Sequence, residues 1–121
     1  THVYYSYPII IKPEVIGVSR EMIFDALISE GVPVGKSYQN LHLLPMYQKK
    51  IAYGSHGFPW SSDICKREVS YEKGICPVAE NLNDNTFISV VMCGYELKEN
   101  DINLIVKAFK KVWDNLDMLN F

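Results

Sequence analysis

From Ile102 to Leu116 the chain repeats apolar residues at helical spacing: Ile102, Ile105, Val106, Phe109, Val112, Trp113 and Leu116, with Lys107, Lys110, Lys111 and Asp114 between them. Residues three and four apart share a helix face, so this pattern predicts a helix of roughly four turns with one side to bury. Glu99 and Asp101 suit its positive N-terminal end, although Lys98 is a poor capping residue. One amphipathic helix cannot bury its own face, so the rest of the chain has to supply a layer for it.

That layer begins at the other end. Val3, Tyr5, Tyr7, Ile9 and Ile11 alternate with a set that includes Ser6, Pro8 and Ile10, the period-2 pattern of a half-buried strand, and Pro8 places it at an edge or a bulge. The aromatic run Tyr4-Tyr5-Ser6-Tyr7 has no interleaved basic residues and is read as core rather than as a base-stacking platform. Lys12-Pro13 and Gly17 break the run. Ser19 is a good N-cap with Glu21 in the first turn, and Ile23, Phe24, Leu27 and Ile28 form a helical face that Gly31 and Pro33 terminate.

A short strand is predicted over 34–38, then a turn at Asn40–His42 and a short helix over 44–49. Residues 52–75, with glycines, a proline and scattered aromatics, predict a long ordered excursion of the kind that carries function. Pro77 opens a helix to Leu82, Asn83-Asp84-Asn85 makes a turn, and the apolar run Phe87–Met92 predicts a central strand ended by Gly94. The order predicts an α+β fold, a small mostly antiparallel sheet with helices packed on one face, and 1–121 as a single domain. A ferredoxin-like arrangement would need a fourth strand near Glu68–Tyr71.

Composition narrows the function classes. A formal charge of -2 spread over 121 residues gives no basic field for nucleic acid, and Lys49-Lys50 and Lys110-Lys111 read as solvated helix ends. Cys65, Cys76 and Cys93 are odd in number and widely spaced, and are read as reduced, small, buried or half-buried residues rather than a zinc or redox motif. No apolar run reaches the roughly 20 residues that cross a bilayer, and no secretory leader is evident, so the expectation is a cytoplasmic protein with no membrane partner. The opening at Thr1-His2, already inside a strand-like run, reads as a chain cut from something longer.

The chemistry concentrates between Gly31 and Tyr47. Tyr38, Asn40, His42 and Tyr47 place a phenol, an amide, an imidazole and a second phenol along a strand and turn, a set that can hydrogen-bond a hydroxyl-rich or phosphorylated ligand. His42 lies between Leu41 and Leu43, so a structural role competes with binding. Binding is better supported than proton transfer, and no catalytic residue is assigned. Neither His2 nor His56 stands at metal-ligand spacing from His42, and no metal is expected. Lys36-Ser37 is a weak imitation of a phosphate loop, because it falls on a strand rather than at a helix start.

Taken in order, His2–Tyr7, Ser19-Arg20-Glu21, Ala26-Leu27, Glu30–Pro33, Leu41-His42, Pro45-Met46-Tyr47, Cys76–Glu80 and Glu99–Ile102 resemble the C-terminal small domain of the DegT/DnrJ/StrS aminotransferases. The resemblance covers nearly the whole chain. It implies a pyridoxal-phosphate enzyme of fold type I, usually a homodimer, whose separate large domain carries the Schiff-base lysine and which acts mostly on nucleotide-linked keto sugars with an amino-acid donor. By the same resemblance this chain binds no cofactor alone, is inactive alone, and supplies one wall of the substrate cleft. His42 matches the position that faces the nucleotide sugar, and Tyr38 an aromatic beside it. Ser37 stands where many relatives carry histidine, and a sugar, a cyclitol ketone or another keto compound fits as amino acceptor. The competing reading is a stand-alone α+β module that binds a small ligand or a partner without catalysis.

Overall fold

The computed structural model describes Val3 and residues 5–36, 38–54, 56–63 and 65–119. Among these are three strands, β1 (Ser6–Ile10), β2 (Val34–Gly35) and β3 (Phe87–Val91). There are five α-helices: α1 (Pro13–Ile16), α2 (Arg20–Ser29), α3 (Pro45–Gln48), α4 (Pro77–Asn81) and α5 (Glu99–Trp113). The chain forms two compact units, one of residues 1–37 with 84–121 and the other of residues 38–83.

The first unit holds the sheet, in the order β1-β3-β2 with both pairings antiparallel. This is the expected α+β fold, with β3 central. Tyr7 pairs with Val90, Ile9 with Ile88, and Val34 with Val90, so these residues share one face. Ile88, Val90 and Val34 are buried there with Ile11, Val18, Ile23, Leu27, Val32 and Val112. The alternation in β1 names the correct face but overstates its burial. Tyr7 is 46% exposed and Tyr5 is exposed as well, because β1 is the edge strand and only its Ile9 end packs on the core. The core reading of these tyrosines is therefore corrected; Tyr4 and His2 lie outside the described residues.

Helix α2 has both ends specified by sequence. The Ser19 hydroxyl accepts from the Met22 amide at 3.3 Å, satisfying one of the free N-terminal donors. At the other end Gly31 takes a left-handed φ of 81°. The Val32 amide then donates to the Leu27 carbonyl at 3.0 Å and the Gly31 amide to the Ile28 carbonyl at 2.9 Å, the paired bonds of a Schellman motif, with Val32 and Leu27 both buried. Ile23 and Leu27 are fully buried, whereas Ile28 is 48% exposed and lies off the inward stripe.

The inward stripe of α5 is Ile105, Ala108, Phe109 and Val112, continued by Leu116 beyond its end. Val106 and Trp113, expected on that face, are exposed, since each lies roughly 100° around the helix from its inward neighbour. The Lys98 amide donates to the Asp101 carboxylate at 2.9 Å, which offsets the poor cap.

Three further expectations are revised. The strand over 34–38 is only Val34–Gly35; Ser37 lies outside the described residues. The turn at 83–85 is a π-helical turn over Leu82–Thr86, a wider winding than the α-helix. Arg20, buried in the first unit, donates to the Asp84 carbonyl at 2.6 Å and the Phe87 carbonyl at 3.2 Å. No strand forms at 68–71, so the ferredoxin-like alternative fails among the described residues. None of the described helices is long and apolar enough to cross a membrane.

Candidate functional site

The second unit is built from short elements tied together by side chains. Leu41–Leu43 form one 3₁₀ turn, Leu44 bends the chain, and Pro45 opens α3, where its missing amide is no loss. The excursion follows, with Tyr53 and Phe58 bridging a small hairpin, and Pro77 then opens α4. Elements this short leave many backbone groups unpaired, so side chains and turns have to satisfy them.

Glu80 does most of that. Its carboxylate takes the Gly74 amide on both oxygens, at 2.8 and 2.9 Å, and the Cys76 amide at 3.3 Å. It reaches back over the start of its own helix, as the acid of a capping box does. Gly74 has a φ of 101°, which a side chain would strain. The third partner is His42, whose Nε2 lies 2.8 Å from Glu80 Oε1. The two side chains are only 10% and 9% exposed. Burial pushes the Glu80 carboxyl up, but the Gly74 and Cys76 amides and His42 outweigh it and hold it below the usual carboxylate value. An ionised Glu80 accepts only, so His42 carries its proton on Nε2 and keeps Nδ1 uncommitted to the carboxylate.

Beside this pair, Gln48 donates to the His42 carbonyl at 2.7 Å and the Tyr71 carbonyl at 2.5 Å. Tyr47 packs on Tyr71 with ring centroids 5.2 Å apart and meets Trp60 edge-on at 6.2 Å, while the Trp60 indole donates to the Tyr71 hydroxyl at 2.9 Å. Tyr47, Gln48 and Tyr71 line a pocket of about 500 Å³ with Lys50, Glu68 and Ser70.

The four residues singled out from sequence are thus all in the second unit, in different settings. His42 is clamped to Glu80. Asn40 precedes the 3₁₀ turn, and its Oδ1 accepts from Asn83 Nδ2 at 2.9 Å. Tyr47 belongs to the aromatic cluster, and Tyr38 is 64% exposed and outside any strand. Sequence reasoning missed Glu80, Gln48, Trp60 and Tyr71 as parts of one assembly. The legible signal was an acid three residues after Pro77, placed to reach back over the helix start; its pairing with a histidine 38 residues away was not legible.

Cys76 and Cys93 are exposed, which corrects the buried or half-buried reading for both, and Cys65 is intermediate. Exposure follows from position: Cys76 sits just before α4 and Cys93 just past the end of β3. Among the described residues no three His, Cys, Asp or Glu side chains gather as a metal site.

A profile of the DegT/DnrJ/EryC1/StrS aminotransferase family matches residues 1–93, more than half of the chain, and the chain belongs to that family. No curated protein and no solved structure matches it.

Proposed function

We propose that residues 1–121 are the C-terminal small domain of a pyridoxal-phosphate-dependent aminotransferase. In this reading the domain supplies one wall of the substrate cleft, and the amino acceptor is a keto sugar linked to a nucleotide. The observation that carries the reading is the His42–Glu80 pair. Glu80 fixes the imidazole's tautomer and orientation, as a group that must meet a ligand in one geometry requires. His42 Nδ1 then accepts from a sugar hydroxyl, or donates to a phosphate when the ring is protonated. Tyr38 and Tyr47 add phenols and Asn40 an amide to the same wall.

Pyridoxal phosphate, when bound, supplies the electron sink for amino transfer, and its anchoring lysine belongs to a larger domain that this chain meets. The lysines here do not fit that role. Lys12, Lys36, Lys49 and Lys50 match no Schiff-base motif of the family, and Lys36 is occupied by Glu21 and by the face of the Phe24 ring, 4.6 Å from its centroid. The intact enzyme in this reading is a cytoplasmic homodimer that uses an amino-acid donor.

The test separates the two parts. The large domain with pyridoxal phosphate but without residues 1–121 should transfer little amino group to a nucleotide-linked keto sugar, and adding the chain should restore transfer. Equal activity with and without the chain, or amino transfer by the chain alone, would overturn the proposal. Ligand binding by the chain alone with no effect on the large domain would favour the stand-alone module.

A further inference from the structure

Tyr71 is held through its backbone, its ring and its oxygen. Gln48 Nε2 donates to its carbonyl at 2.5 Å and to the His42 carbonyl at 2.7 Å. The Tyr71 ring packs on Tyr47 with centroids 5.2 Å apart and planes tilted by 37°, and Trp60 stands edge-on to both rings. The Trp60 indole donates to the Tyr71 hydroxyl at 2.9 Å. That N–H takes one side of the phenol oxygen and turns the hydroxyl proton to the other, where nothing among the described residues accepts it. A hydroxyl that already accepts a hydrogen bond donates its own more strongly.

The polar groups beside it have equally fixed roles. Only the NH₂ end of an amide can face two carbonyl oxygens, so Gln48 presents Oε1, an acceptor, on its other side. Ser70 Oγ accepts from the Glu72 amide at 3.3 Å, which leaves the Ser70 proton to give. Tyr47, Gln48, Ser70 and Tyr71 all line the 500 Å³ pocket. It therefore offers two donors and an acceptor beside an aromatic wall. That set complements a ring whose hydroxyls both give and accept and whose C–H face is apolar. Among the described residues the charged lining is Glu68 and Glu72 with Lys50, a negative balance that disfavours anions.

We propose that Tyr71 is a ligand-binding residue whose phenol donates to a hydroxyl of a neutral polyhydroxylated ring, a pyranose or a cyclitol, seated in this pocket. Gln48 and Trp60 hold the phenol in place, and the two carboxylates turn phosphate away. The ring is that of the amino acceptor, so its part in amino transfer rests on the cleft-wall reading, whereas its binding does not.

Trp113→Phe leaves Trp60 as the single tryptophan of the chain, and titrating myo-inositol and methyl glucoside separately into that variant tests the site. The expected result is a saturable change in Trp60 emission with one or both, accompanied by amide NMR shifts at residues 47–48 and 68–72. The tighter of the two identifies the ring. Glucose 6-phosphate should bind more weakly than glucose, by a margin that shrinks as salt rises. Tyr71→Phe, which keeps the ring and its packing, should lose about three- to tenfold in affinity, the range for one hydrogen bond. Trp60→Phe, followed by NMR, should lose less, because the phenol remains but its proton is no longer directed; it also covers the case where Tyr71→Phe misfolds. Tyr53→Phe, at an exposed phenol of the same unit, is the control and should leave affinity unchanged. No saturable shift with either polyol, tighter binding of the phosphate ester, or an equal loss in the control would overturn the site. Absent polyol binding beside an impaired His42→Ala enzyme sinks this pocket and leaves the His42 reading intact, while polyol binding beside an unaltered His42→Ala enzyme does the reverse.

Discussion

Glu80 Oε1 lies 2.8 Å from His42 Nε2, and the same carboxylate closes on the amides of Gly74 and Cys76. One side chain therefore sets the start of α4 and the orientation of the histidine that the proposed cleft uses. Glu80→Gln keeps the shape but replaces one acceptor oxygen by an amide that cannot accept from Gly74. In the complete enzyme this change should raise the KM for the keto sugar, and by less than removal of His42 does, because the imidazole stays present but loses its fixed tautomer. Steady-state kinetics of both variants checks the order.

The pH dependence of stability follows from the same contacts. The folded Glu80 carboxyl titrates below its ordinary value of 4.5. The unfolded chain therefore takes up this proton first as pH falls. The contribution is complete above the ordinary value and is lost as pH drops through the depressed folded one. Denaturant melts of the wild-type chain and Glu80→Gln should differ most near neutrality and converge below the usual carboxylate range. A constant difference at all pH values would show that the carboxylate's charge is not what holds the segment.

Leu27 and Ile28 are neighbours with opposite fates, fully buried and 48% exposed. Leu27→Ala should cost about 2–5 kcal/mol and Ile28→Ala about 0.5–1 kcal/mol in unfolding free energy. Urea denaturation of the two variants distinguishes them.

The Ser19 cap is a local device. Ser19→Ala leaves the Met22 amide without its 3.3 Å acceptor and should cost about 1 kcal/mol, while Ser19→Asp should recover most of it. Thermal melts of the pair check this.

What could be read in advance was what depends on neighbours in sequence. The Ser19 cap, the Gly31 stop, Pro77 opening α4 and the apolar Phe87–Val91 strand are local chemistry, and each appears in the structure. What failed depends on position within the fold. Period 2 assigns Tyr7 to a face but not to an uncovered edge, and period 3.6 groups Val106 and Trp113 with residues a fraction of a turn away. In the candidate site, His42 was visible as a residue type. Its partner was not, because the contact spans 38 residues and is made by an acid whose local signature is only that of a helix start.

In the proposed cleft His42 presents a fixed imidazole to the amino acceptor, and kinetics of the complete enzyme carrying His42→Ala are the decisive measurement. The KM for a nucleotide-linked keto sugar should rise by about tenfold or more, the range for losing a hydrogen bond to a charged or polar ligand, with the amino-donor KM and the circular dichroism spectrum unchanged. Unchanged KM and kcat for the keto sugar in a folded variant would contradict it, and would leave the His42–Glu80 pair as a structural clasp alone.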